Sequence, residues 1–191
     1  MVAFGGTGVM LLGIGVAGLV SCALALLLRR PLGWLSAVAI AGLLWSLAVI
    51  ALVTLVPTSP DPGIVPAETR MSTCSWDIGG PAPEGFWVLQ SGQRTLNTAL
   101  FVPSGTLLVL AAARWRAGWV LAPLGLAGLA GYSALIEKTQ LELARIDRAC
   151  DVTDIVDNTT GALFGAVLGL ALVLVLRPWR HRQRKRSSAH G

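Results

Sequence analysis

The chain has 191 residues, 54% of them hydrophobic and 13% charged, with a mean hydropathy of +0.68 and a formal net charge of +5. So apolar a composition excludes an ordinary soluble domain and marks an integral membrane protein. The basic residues sit in short clusters beside apolar runs, so they carry topology information and argue against a nucleic-acid partner.

Five apolar runs follow one another, each near the roughly 20 residues that cross a hydrocarbon core. The first, about Gly5–Leu28, ends at Arg29-Arg30-Pro31, and the second, about Leu32–Val56, stops at Pro57. The third, Leu96–Ala113, ends at Arg114-Trp115-Arg116, and the fourth, Ala117–Ile136, ends at Glu137. The fifth, Ile155–Leu176, starts beside Asp157 and Asn158 and leads into a basic tail. The expected fold is all-α, an integral membrane bundle of five transmembrane helices with two outer loops. It divides into an N-terminal hairpin (1–56), an extracytoplasmic loop (57–95), a three-helix core (96–176) and a cytoplasmic tail (177–191).

Leu19-Val20-Ser21-Cys22 matches a lipoprotein cleavage box. Residues 1–28 carry no Lys or Arg, however, whereas a signal peptide needs positive charge before its apolar core. Cys22 is therefore expected within a retained helix.

Orientation follows from charge. If Arg29-Arg30, Arg114, Arg116 and the tail share one side, that side holds ten basic residues and no acidic ones. The other side holds five basic residues and all ten acids. The positive-inside rule makes the first side cytoplasmic, with the N-terminus outside and the C-terminus inside. Trp34, Trp115, Trp119 and Trp179 fall near the inner boundary, as an aromatic belt does.

The outer segment Pro57–Thr95 is proline-rich and reads as mostly irregular, with a short interfacial helix over Glu84–Gln93 as one reading and a packed loop as the other. Cys74 and Cys150 fall in the two outer segments, and Cys22 does not. An oxidising compartment would join Cys74 to Cys150 as a disulfide; the alternative is two buried thiols.

Two polar groups mark the outer ends of the last three spans. The first is Asn97, Phe101, Pro103 and Gly105 at the head of the third. Pro103 removes a backbone hydrogen bond there, and Gly105 permits close helix approach. The second begins with Glu137 and Gln140, three apart on one helical face, and continues with Arg148, Asp151, Asp154, Asn158, Gly161 and Gly165. Steps of three and four put the series from Asp151 to Gly165 on one face, passing from carboxylates to an amide to bare glycine. Gly161 and Gly165 form a helix-packing GxxxG step.

These patterns, N-x3-F-x-P-x-G, then E-x2-Q, then R-x2-D-x2-D-x3-N-x2-G-x3-G, resemble the VanZ-like family of bacterial membrane proteins over about residues 96–169. The first two spans match only in hydrophobicity. The resemblance implies a cell-envelope protein linked to resistance to the glycopeptide teicoplanin, without implying a molecular activity.

Two functional readings follow. In one, an outer polar pocket of Asn97, Pro103, Glu137, Gln140, Arg148, Asp151, Asp154 and Asn158 binds a lipid headgroup, a lipid-linked cell-wall precursor or a lipoglycopeptide. Arg94, Lys138, Arg145 and Arg148 supply cations for a phosphate. In the other, a membrane enzyme uses Glu137 and Asp154 as general acid and base. Both histidines lie in the inner tail, so no Ser-His or Cys-His pair is available. A carboxylate metal site from Glu137, Asp151 and Asp154 would lack imidazole and a known loop pattern, so no metal and no cofactor is expected. A purely structural alternative has Glu137, Arg148, Asp154 and Asn158 pairing to lock three helices.

Overall fold

The computed structural model describes the backbone of residues 5–59, 73–76, 92–142 and 151–187, and the side chains of all these but 93 and 177–187. Five helices follow in order: α1 (Thr7–Leu32), α2 (Trp34–Leu55), α3 (Gly92–Ala112), α4 (Gly118–Glu142) and α5 (Val152–Ser187). All five are long and apolar enough to cross a membrane, as the apolar runs predict. Among the described residues there is no strand, only an isolated parallel bridge between Ser75 and Asp151.

The helices outrun the apolar runs. α3 begins at Gly92, which makes Arg94 helical; α4 continues to Glu142, which carries Glu137 and Gln140 on helix turns. Hydropathy marks where lipid ends, whereas the hydrogen-bond ladder continues until something caps it. For α5 the cap is Asp151, whose Oδ1 accepts the Thr153 N–H at 2.8 Å. Between α1 and α2 the break is a single residue, Gly33, at φ 76°. Only glycine takes that conformation at no steric cost.

α3 occupies the centre and touches α2, α4 and α5, whereas α1, of the described helices, packs against α2 alone and buries no residue fully. Ile50, Phe101, Leu129, Ile136 and Ala162 form the core where α2 to α5 meet. Hydrocarbon offers polar groups no partner, so they bond between helices. Ser46 and Ser104 share a buried hydroxyl contact of 2.9 Å, and the Tyr132 hydroxyl donates to the Leu47 carbonyl at 2.8 Å. On the periphery, the Trp45 indole N–H donates to the Ile14 carbonyl at 3.2 Å.

The closest helix pair is α3 with α5, which run parallel. A Cβ at Gly161 would overlap the Thr98 carbonyl, one at Gly165 the Val102 carbonyl, and one at Gly105 the Ala162 carbonyl. Below them, a Cβ at Gly169 would lie 2.8 Å from the Thr106 carbonyl oxygen. The Thr106 hydroxyl donates to the Gly165 carbonyl at 3.0 Å as well as to Val102 in its own helix at 2.9 Å. The expected role of Gly105, Gly161 and Gly165 in packing is thus given a partner for each.

The two ends of the bundle differ in charge. At one, Arg114 donates to the carbonyls of Pro31 and Leu32, gathering the two arginine turns, and Arg29 lies 5.3 Å over the Trp34 ring. At the other, the Gly6 N–H meets the Pro57 carbonyl at 2.9 Å, and the acidic first turn of α5 meets the ends of α3 and α4. Arg145, Arg148, Cys150 and the interfacial segment up to residue 91 lie outside the described residues; Gly92 and Gln93 open α3.

Candidate functional site

The acidic end is built around an ion pair. Arg94, on the first turns of α3, donates through Nε to Asp157 Oδ2 at 2.9 Å and through its terminal nitrogen to Oδ1 at 2.8 Å. The Asp157 side chain is fully buried and that of Arg94 nearly so, at 0% and 12% exposure. Bidentate geometry makes this the strong form of the interaction. Asp151 and Asp154, on the same turns of α5, also lie within the electrostatic reach of Arg94. Asp151 at the cap and Asp154 in the first turn of α5 suit its positive dipole end.

Glu137 and Gln140 each hold the end of a neighbouring helix. Glu137, 3% exposed, accepts the Asp151 N–H at 3.2 Å and so fixes the start of α5. Gln140, 4% exposed, donates to the Thr54 carbonyl at 2.9 Å, one of the carbonyls left open where α2 stops. A backbone N–H needs an acceptor and a carbonyl needs a donor, which explains an acid at one position and an amide at the other.

Asn158 turns to α4, where its Nδ2 donates to Ser133 Oγ at 2.9 Å. Among the described residues its Oδ1 has no hydrogen-bond partner, and neither does the hydroxyl of Thr98 on α3. Both residues are at least nine-tenths buried. Because Ser133 can donate or accept, turning the amide over would leave the other end open instead. Such an orphan is uncommon in a buried polar set.

The single face expected through Asp151, Asp154, Asn158, Gly161 and Gly165 is therefore shared between two neighbours: Asn158 addresses α4, whereas Gly161 and Gly165 address α3, as does Asp157, which that series left out. Asn97 and Asp154 are half-buried at this end, and Pro103 is exposed. Lys138 lies on the surface, 3.9 Å from Glu142. Arg94 was expected as a cation for a phosphate and Asp157 was not among the site residues, so the pairing of the two was not foreseen. Its signal is Asp157-x3-Gly161-x3-Gly165-x3-Gly169, an unbroken four-residue row matched by Arg94-x3-Thr98-x3-Val102-x3-Thr106.

The fold and this cluster define a multi-pass helical membrane protein that buries a polar set at one end of its packed helices. The chain belongs to the VanZ/LLP1 family, whose model matches residues 43–175, from the middle of α2 to near the end of the apolar part of α5. α1 lies outside that match, as it lies at the edge of the bundle. No curated protein and no solved structure matches the chain.

Proposed function

We propose that this VanZ-like protein is a non-enzymatic component of the bacterial cytoplasmic membrane, with its acidic end and N-terminus outside and its C-terminus inside. At that end it binds the polar part of a lipid-linked cell-wall precursor or of a glycopeptide, and so contributes to glycopeptide resistance. The observation that carries the reading is the pair of buried polar groups on Asn158 and Thr98 that have no partner among the described residues. They suit a neutral hydrogen-bonding ligand group, a sugar hydroxyl or an amide, better than a phosphate, because Arg94 already serves Asp157. The enzymatic alternative has less support. Glu137, one of its two carboxylates, is buried and accepts a main-chain N–H.

A Cys74–Cys150 disulfide belongs to the same reading. Its support is the bridge between the residues that follow each cysteine: the Val152 N–H meets the Ser75 carbonyl at 3.1 Å, beside the Ser75–Asp151 pairing.

The experiment is deletion of the gene and complementation, with minimum inhibitory concentrations of teicoplanin and of an antibiotic that does not act on the cell wall. A fall for teicoplanin alone, restored by the wild-type gene, is expected. Unchanged teicoplanin sensitivity in both the deleted and the overexpressing strain overturns the resistance role.

A further inference from the structure

The arginine end of the bundle holds a second feature, separate from the polar cluster. There α3, α4 and α5 part around a cavity of ≈ 1260 Å³. That exceeds the roughly 300–1,000 Å³ of most small-molecule sites. Small side chains leave the space open: Ala113 from the end of α3, Ala122 from α4 and Ala166 from α5 all line it.

Its depth is that of one leaflet. Along α5 the lining runs from Ala166 to Leu176. At about 1.5 Å per residue this is roughly 15 Å, half of a hydrocarbon core about 30 Å thick.

Its mouth is cationic and aromatic, formed by Arg114, Trp115, Arg116 and Trp119. Arg114 donates to two carbonyls, which fix its position without neutralising its charge. Arg116 is exposed and forms no ion pair among the described residues. None of the ten acidic residues belongs to the stretches that line the cavity. Indole rings at this level are suited to a headgroup boundary. A second copy of the chain would bring a like-charged arginine end to the same depth, so the charge favours an anion as occupant.

We propose that this cavity binds one anionic glycerophospholipid, its acyl chain lying along α5 and its phosphate paired with Arg116. The site is independent of the function assigned to the acidic end.

The test uses the full chain purified in mild detergent and incubated with equal amounts of phosphatidylglycerol and phosphatidylcholine of identical acyl chains. Native mass spectrometry reads the retained lipid. Wild type should keep phosphatidylglycerol severalfold over phosphatidylcholine, and Arg116→Ala should remove the preference. Ala122→Phe keeps every charge and fills the cavity, so it should lower retention of both lipids. Circular dichroism establishes that each variant is folded, and Ala113→Leu carries the same test should Ala122→Phe not fold. Equal retention of the two lipids by wild type overturns the proposal. So does undiminished phosphatidylglycerol binding in the filled variant, which would assign the effect to surface charge alone. A dimer lost on filling the cavity would likewise overturn it, by making a second copy the occupant.

Discussion

Arg94 grips Asp157 through two hydrogen bonds at the head of the α3–α5 contact, and the two residues are 63 apart in sequence. The glycine contacts below repeat the same offset: Thr98 with Gly161, Val102 with Gly165 and Thr106 with Gly169. The ion pair and the glycine seam are one row of side chains on each helix. It sets the register of two parallel helices, and a shift by one residue would break every rung.

Removing one partner of a buried pair leaves a charge without compensation, at a cost of about 3–5 kcal/mol. Asp157→Asn should therefore lower membrane abundance and the melting temperature of the purified protein. The double variant Arg94→Met/Asp157→Leu removes both charges and should recover most of that loss. A melting temperature for Asp157→Asn equal to that of wild type would show that the pair does not hold the helices.

Gly165→Ala tests the seam without touching charge. Its Cβ would meet the Val102 carbonyl, part of the backbone rather than a side chain that can rotate away. A destabilisation of about 1–3 kcal/mol is expected from such overpacking. Gly128→Ala, inside α4 where a Cβ meets nothing within 4 Å, is the control; helix propensity favours Ala there, so its melting temperature should not fall.

Most of the architecture was legible in the sequence because lipid imposes one rule on every span: about 20 apolar residues with an internally satisfied backbone. Family and packing were legible too, since Gly105, Gly161 and Gly165 recur at helical spacing. Partner choice was not. Asp157 and Asn158 are adjacent, point 100° apart on a helix, and so reach different neighbours. Nothing local tells which faces α3. The start of α3 was hidden for a similar reason, as Arg94 lies before the apolar run but still within hydrogen-bonded turns, whereas Glu137 and Gln140 lie on the helical turns their spacing gave them.

The proposed Cys74–Cys150 disulfide closes a loop for which chain-entropy estimates give roughly 4 kcal/mol. Non-reducing peptide mapping of protein exported by an oxidising host should recover the two cysteines in one cross-linked peptide, with Cys22 unlinked. Recovery of both as thiols rejects the bridge.

Orientation is checked by labelling. In intact cells, a membrane-impermeant maleimide should reach an engineered Thr7→Cys and not Ser187→Cys, in a background without native cysteines. Labelling of Ser187→Cys but not of Thr7→Cys would invert the topology and move the polar cluster to the cytoplasm.

The most direct measurement of the binding role concerns Asn158, whose amide keeps one buried end without a partner among the described residues, beside Ser133. Asn158→Ala removes that end and leaves the Arg94–Asp157 pair and the Gln140 contact in place. Teicoplanin inhibitory concentrations and membrane protein level are measured together in the complemented deletion strain. The account predicts resistance reduced to that of the deletion strain, with the protein inserted and at wild-type abundance. Full resistance at wild-type abundance would contradict it, and a loss of resistance that only follows a loss of protein would make Asn158 part of a purely structural lock.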